Sequence, residues 1–164
     1  MNFEWTPFAI PYMTSGVMAV AVALVARRYR HRQGATALCC LVVAAAVWSL
    51  GNALEICSVG LEAKALWANI EYVGIVAVPV AWFAAALGLT GKSEWLNRRN
   101  IMLLMVVPIA VQVLVWTNGY HGLMRYNVGI DTSGPFGVIV KTYGLGFWVM
   151  TVYSYVLLAI GTAR

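Results

Sequence analysis

Two stretches decide how this sequence folds: Trp48-Ser-Leu-Gly-Asn-Ala-Leu-Glu55 and, after a short break, Leu66-Trp-Ala-Asn-Ile-Glu-Tyr-Val-Gly74. Each carries one asparagine and one glutamate at the facing ends of two otherwise apolar runs. A carboxylate inside a lipid bilayer is costly, so it normally faces the interior of a helix bundle and has a polar partner there. The two stretches therefore predict two packed transmembrane helices with a polar region between them.

The composition agrees with a membrane protein. The 164 residues are 62% hydrophobic and 10% charged, with a mean hydropathy of +0.78, whereas soluble domains contain about 25% charged residues. No long polar segment separates the apolar runs, so we expect one membrane domain over residues 1–164. The net charge of +5 comes from basic residues in short loops between apolar runs. That placement sets membrane orientation, and we do not expect nucleic acid as a partner.

The apolar runs give the number of spans, because a helix needs about 20 apolar residues to cross the bilayer core. They predict an all-α integral membrane protein, a bundle of about five transmembrane helices near 8–27, 35–57, 63–90, 100–117 and 142–163.

Orientation follows from the basic residues. If the N-terminus is outside, the inner side carries eight of the eleven lysines and arginines and the outer side carries three. Cytoplasmic loops are enriched in these residues, so this count predicts an outer N-terminus and a cytoplasmic C-terminus.

The long connection at 118–141 lies outside in this topology. Its first part alternates apolar and polar residues, and a turn-rich segment and a β-branched run follow. This pattern predicts a β-hairpin at about 124–141 on the extracytoplasmic side.

Two hypotheses remain open for the acidic residues. Trp48, Asn52 and Glu55 share one helix face, and Glu71 lies about 12 Å into the third helix. One hypothesis is a polar pocket near the outer leaflet for a small ligand, a cation or a proton. The other is a packing contact that fixes how the second and third helices meet, with Asn52, Asn69 or Lys64 as partners of Glu71.

Other polar residues leave similar alternatives. His121 in the outer loop either titrates near neutral pH or hydrogen-bonds the hairpin. The basic run after the first helix either binds anionic lipid headgroups or only sets the topology; its arginines are Arg27, Arg28, Arg30 and Arg32. The sequence shows no nucleotide-binding glycine loop, GxSxG or HExxH motif, so we expect no enzyme activity, no cofactor and no metal site.

Five motifs in order resemble the seven-helix N-terminal input domain of bacterial and archaeal histidine kinases. They are Trp5-Thr-Pro-Phe-Ala-Ile-Pro11, the stretch 48–55, Trp67-Ala-Asn-Ile-Glu-Tyr-Val-Gly74, Thr117-Asn-Gly-Tyr-His-Gly-Leu123 and Tyr143-Gly-Leu-Gly-Phe-Trp148. The resemblance implies a membrane sensor that passes a signal to cytoplasmic signalling modules. It also implies a multi-pass location in the cytoplasmic (inner) membrane.

The resemblance adds candidates to the polar pocket. With the two asparagines, the candidate residues are Asn52, Glu55, Asn69, Glu71, Tyr72, His121, Trp148 and Tyr153. The chain differs from the family in having about five predicted helices, not seven, and no kinase modules. We therefore expect a truncated sensor region.

Two functions fit these observations. One is a non-catalytic sensor or ligand-binding module of a signal-transduction system, retained without its kinase output. The alternative is a structural accessory subunit packed into a larger membrane protein complex. Expected partners are membrane lipids and another membrane protein, whether a separate kinase, a homodimer partner or a large complex.

Overall fold

The computed structural model describes residues 2–29 and 34–163, which form a helical bundle with one small hairpin. Five of the described helices are long and apolar enough to cross a membrane. In chain order the elements are α1 (Ile10–Arg28), α2 (Ala35–Cys57), α3 (Leu61–Leu89), α4 (Arg98–Trp116), the four-residue α5 (Asn118–His121), β1 (Arg125–Asp131), β2 (Val138–Tyr143) and α6 (Leu145–Thr162). Short 3-10 turns, Pro7–Ala9 and Ser93–Trp95, precede α1 and α4. This is a multi-pass membrane architecture, and the five predicted spans are confirmed.

Helix α3 is the centre of the bundle. It contacts α2 on one side and α4 and α6 on the other, while α1 packs against α2. Its buried positions recur along its whole length, from Ala63 to Gly88. Half of its apolar window is buried inside the protein, against about a fifth for the other spans. Helix α3 therefore positions α2, α4 and α6 directly.

Glycines let α2 and α3 approach closely. A Cβ atom on Gly74 would lie 2.8 Å from the backbone nitrogen of Trp48 and would also meet the carbonyl oxygen of Ala44. A Cβ on Gly51 would lie 2.7 Å from Cγ of Glu71. Small residues at such contacts allow helix backbones to pack in a membrane, where packing replaces the hydrophobic effect as the driving force.

The predicted hairpin is present. Strands β1 and β2 pair antiparallel from Arg125↔Tyr143 to Asp131↔Val138, with an irregularity between Tyr126 and Gly129. At the turn, the backbone N–H of Ser133 donates to Oδ1 of Asp131 at 2.9 Å. This hydrogen bond holds the pKa of the Asp131 carboxyl below its usual value.

The last long helix begins later than the sequence indicated. Thr142 and Tyr143 belong to β2, where they pair with β1, and the N–H of Gly144 bonds the carbonyl of Met124 at 3.1 Å. Because these pairings keep the chain extended, α6 starts at Leu145, not near residue 142.

The N-terminal segment packs at the same end of the bundle as the hairpin. Phe3 forms a β-bridge with Ser58, and the N–H of Glu4 donates to the carbonyl of Cys57 at 2.7 Å. The rings of Phe8 and Phe136 are 5.2 Å apart. The N-terminal segment, the α2–α3 connection and the hairpin turn therefore form one layer over this end of the helices.

The close approach at Gly74 gives a direct test. Gly74→Ala should force α2 and α3 apart, because the added methyl meets backbone atoms that cannot rotate away. The free energy of unfolding should fall by about 1–3 kcal/mol, the usual cost of overpacking. Equilibrium unfolding in lipid–detergent bicelles, followed by tryptophan fluorescence, would measure the loss. Gly119→Ala is the matched control, since a Cβ there meets nothing within 4 Å; equal stability of the two variants would contradict this packing.

Candidate functional site

A cleft of 710 Å³ lies between α2, α3 and α6 beneath the hairpin. Its volume is in the range of about 300–1,000 Å³ that small-molecule sites occupy. One part of its lining is polar and the rest is aromatic or aliphatic. Its polar, charged and aromatic lining residues include Tyr12, Trp48, Asn52, Glu55, Glu71, Tyr72, Phe136, Lys141, Tyr143, Phe147 and Tyr155.

Glu71 is the central polar group of the cleft. Its side chain is 6% exposed, and Nδ2 of Asn52 donates to its Oε2 at 3.3 Å. Its other oxygen, Oε1, is buried and has no hydrogen-bond partner within the described part of the chain. Asn52 and Gly51 are consecutive in α2, so one residue binds the carboxylate and its neighbour leaves room for it.

Two further charges act on this carboxylate. Glu55, one turn beyond Asn52 on α2, brings a second carboxyl group close to that of Glu71. Lys141 on β2 interacts with Glu71 electrostatically, and all three side chains line the cleft. The polar end of the cleft therefore has two acidic groups and one basic group.

Aromatic rings form the wall next to this polar end. Tyr143 on β2 stacks on Phe147 of α6, with ring centroids 3.9 Å apart. Tyr72 is buried in a core cluster with Met150, and all four side chains line the cleft. The wall joins α3, the hairpin and α6, so a molecule in the cleft would touch three separate elements.

Lys64 is not a partner of Glu71, although it is almost completely buried. Its Nζ donates to the carbonyl oxygens of Glu55 and Ile56, at 2.9 and 3.2 Å. Both carbonyls belong to the last turn of α2, where backbone partners run out; that of Glu55 also accepts from the N–H of Ser58 at 3.2 Å. Lys64 therefore caps the C-terminus of α2, where a positive charge also offsets the helix dipole.

Asn69 is also engaged elsewhere. Its Oδ1 accepts a hydrogen bond from Nη2 of Arg125, which also donates to the carbonyl of Ala65 at 3.4 Å. Arg125 is 7% exposed, so this contact fixes the first residue of β1 on α3. The sequence missed this role, because the alternation along β1 put Arg125 on the polar face.

The segment 117–123 forms a hydrogen-bonded loop. Oδ1 of Asn118 accepts from the N–H groups of Met124 and Arg125, at 2.9 and 3.1 Å, and its Nδ2 donates to the Arg125 carbonyl at 2.7 Å. His121 lies in the same loop: Nδ1 accepts from the N–H of Leu123 at 3.0 Å, and Nε2 is 3.0 Å from Oγ1 of Thr117. Of the two roles considered for His121, this geometry favours the structural one.

Comparison with known families bears on this arrangement directly. The family model for the N-terminal 7TM region of histidine kinase matches residues 11–164, almost the whole chain. This chain belongs to that family. Comparison with curated proteins and with solved structures returned no match.

Membership of the histidine kinase 7TM family identifies the chain as a membrane signalling input region. The match includes both stretches that form the α2–α3 contact, and it also includes the loop, the hairpin and α6. The cleft is therefore built from elements that all lie within the family region.

The structure brings together half of the eight candidate residues. Asn52, Glu55, Glu71 and Tyr72 line the cleft. Within the described chain, the other four lie elsewhere: Asn69 on Arg125, His121 in its loop, Trp148 on an exposed face of α6, and Tyr153 at the α4–α6 contact, where its hydroxyl donates to the Leu104 carbonyl at 2.5 Å.

The remaining candidates are arginines. Arg27 and Arg28 are exposed at the C-terminal end of α1, where a headgroup can reach them. Arg30 and Arg32 lie outside the described residues. Among residues 2–29 and 34–163, no three histidine, cysteine, aspartate or glutamate side chains are grouped as metal ligands.

Asn118 offers a test of the loop that precedes the hairpin. Asn118→Ala removes three hydrogen bonds and leaves the N–H groups of Met124 and Arg125 without this acceptor. The free energy of unfolding should fall by about 1–3 kcal/mol, the cost of leaving buried polar groups unpaired. Asn118→Asp keeps the acceptor oxygen and should lose less stability. Thermal unfolding in nanodiscs would rank the variants, and equal losses for Ala and Asp would contradict the acceptor role.

Proposed function

We propose that this chain is a non-catalytic sensor module of the cytoplasmic membrane, which binds a small ligand in the cleft and passes the signal to a histidine kinase partner. The observation that carries the proposal is the buried carboxylate of Glu71, which lines the cleft with one oxygen unbonded. Family membership supplies the signalling context.

The hydrogen bonds of Asn69 and Glu71 help to distinguish a packing contact from a ligand site. A residue whose role is to join two helices is expected to use its polar atoms on the neighbouring helix, because unpaired buried groups cost free energy. Asn69 fits that role through Arg125. Glu71 differs in that Asn52 satisfies only one of its oxygens and its side chain lines the cleft, whereas Arg125, whose Nη1 is also buried without a partner among the described residues, does not line it. This difference supports a ligand site at Glu71.

The helices provide a route for the signal. Helix α6 contributes Met150 and Ser154 to the cleft and continues to Thr162 at the opposite end of the bundle. Helix α3 carries Glu71 and contacts α2, α4 and α6. A ligand that binds one spacing of α2 and α6 better than another would shift the population of that spacing. The shift would reach the end of α6 that lies away from the hairpin.

The distribution of charge supports an outer hairpin and an outer N-terminus. At the end of the bundle away from the hairpin, all the described basic side chains are exposed: Arg27, Arg28, Lys92, Arg98 and Arg99. At the hairpin end, Lys64 and Arg125 are buried and hydrogen-bonded inside the protein, and Lys141 is half-buried. The exposed positive charge is therefore concentrated at one end, as expected for the cytoplasmic end.

Single cysteines would test this orientation. In a background without Cys39, Cys40 and Cys57, we expect Ser133→Cys in the hairpin turn to react with a membrane-impermeant maleimide in intact spheroplasts. Ser93→Cys, between α3 and α4, should react only after permeabilisation. The opposite pattern would overturn the orientation, because the two serines lie at opposite ends of the bundle.

The sensor role is tested by Glu71→Gln, which preserves size and the acceptor for Asn52 but removes the charge. The chain would be purified from native membranes in a gentle detergent, and native mass spectrometry would identify a co-purifying histidine kinase. Autophosphorylation of that kinase would then be measured in membrane vesicles. We expect Glu71→Gln to change its rate by about fivefold or more, the lower end of usual coupling between sites.

Glu62→Gln is the matched control, because Glu62 is an exposed glutamate in the first turn of the same helix. It should leave the rate unchanged. If Glu71→Gln only lowers the amount of protein, Glu71 serves packing and the proposal fails. Stable recovery in a stoichiometric complex without a kinase would also overturn it, in favour of a structural accessory subunit.

A further inference from the structure

We infer that the cleft takes a small amphiphilic monocation, an ammonium head with a short apolar tail. The inference rests on the proposed function, since it names the ligand class of the same site. It is based on three features of the cleft: its charges, its aromatic wall and its apolar depth.

The charges favour a cation. Of the charged side chains that line the cleft in the described residues, Glu55 and Glu71 are acidic and Lys141 is basic. With both carboxylates ionised the lining has one negative charge in excess. Of the nearby cations, Lys64 hydrogen-bonds the end of α2 and interacts electrostatically with Glu55, and Arg125 is bonded to Asn69, so neither reaches the Glu71 carboxylate. Two neighbouring carboxylates, one buried and one half-buried, either share a proton or take a positive charge beside them, and a monovalent ligand would supply that charge.

The acceptor for that charge is already in place. Apart from the neighbouring carboxyl group of Glu55, Oε1 of Glu71 has no polar partner among the described residues, and the side chain is only 6% exposed. Asn52 fixes the other oxygen, so the carboxylate cannot turn away without losing that bond. The site is therefore preorganised for a positive group between Glu71 and Glu55.

The aromatic wall suits an ammonium group with carbon substituents. The rings of Tyr72, Tyr143 and Phe147 line the cleft together with the two carboxylates. The faces of such rings attract cations, and alkylated ammonium ions are common ligands of aromatic cages. A small hydrated metal ion would gain less from these rings, because it prefers oxygen ligands.

The deeper part of the cleft is apolar. Beyond Glu71, α3 contributes Val78 and Pro79, and α6 contributes Leu158. The seven residue-to-residue steps from Glu71 to Val78 span about 10 Å along the helix, enough for a short alkyl chain. Trp48 and Tyr155 line the cleft and are 43% and 69% exposed. The cleft is thus open at the side, and an amphiphile can enter it from the bilayer.

Three probes with the same tail separate the contributions: hexyltrimethylammonium, hexanesulfonate and 1-hexanol. The whole chain would be reconstituted in nanodiscs of zwitterionic lipid, and binding would be measured by isothermal titration calorimetry after subtraction of empty nanodiscs. We expect saturable binding of the ammonium only. Glu71→Gln should weaken that binding by about tenfold or more, because the carboxylate supplies the charge that distinguishes the cation.

Two further variants make the test independent of folding. Glu62→Gln, outside the cleft, should bind hexyltrimethylammonium like the unchanged chain. Ser154→Trp keeps both carboxylates but fills the cleft, so it should abolish binding. Saturable binding of hexanesulfonate or 1-hexanol with similar affinity would overturn the ligand class. Unchanged ammonium binding in both Glu71→Gln and Ser154→Trp would overturn the site.

These outcomes are distinct from a failure of the sensor proposal. If the ammonium binds and depends on Glu71, but kinase phosphorylation does not, the ligand class stands and the signalling role fails. If phosphorylation depends on Glu71 and the anionic probe binds as well as the ammonium, the signalling role stands and the ligand class fails.

Discussion

The rest of the structure depends on how closely α2 and α3 approach each other. Gly74 lets the two backbones meet at Trp48, and Gly51 clears the space that the Glu71 side chain occupies. With α3 fixed against α2, helices α4 and α6 pack on α3, and α1 packs on α2. The same contact positions the Glu71 carboxylate under Asn52. Helix packing and the polar end of the cleft therefore have a common cause, since the small residues that join the helices also make room for the charge.

Three buried charged residues of the described chain, Lys64, Glu71 and Arg125, lie at the hairpin end and have different roles. Lys64 ends α2, and Arg125 attaches the hairpin to α3; both use hydrogen bonds to the protein itself. Glu71 has one oxygen left over. The free-energy cost of burying a charge explains the contrast. A charged side chain is tolerated inside a protein where hydrogen bonds or an opposite charge compensate that cost. Lys64 has such compensation from backbone oxygens, and Arg125 has it at Nη2 but not at the buried Nη1. Glu71 also has part of it, and of the three it is the one that lines the cleft.

The sequence predicted the spans because their signal is local. Twenty apolar residues identify a transmembrane helix without knowledge of its neighbours, and alternation around a turn-rich segment identified the hairpin. The pairing of Asn52 with Glu71 was also predictable from the sequence, because a carboxylate at the facing ends of two transmembrane helices is expected to have a polar partner on the neighbouring helix. The contact of Arg125 with Asn69 was not, since it joins residues 56 positions apart and depends on where the hairpin packs. The predicted start of α6 was wrong for the same reason, because strand pairing, a tertiary effect, holds Thr142 and Tyr143 extended.

The ring contact between Phe8 and Phe136 joins the N-terminal segment to the hairpin turn, and Phe136 also lines the cleft. On its far side Phe136 borders a second cavity, of 430 Å³, between the turn and the N-terminal residues. A change in either ring therefore alters the packing of the other segment. Across relatives, the residues before α1 and those of the hairpin turn should vary together, and a hairpin exchanged between two family members would have to bring its own N-terminal segment with it.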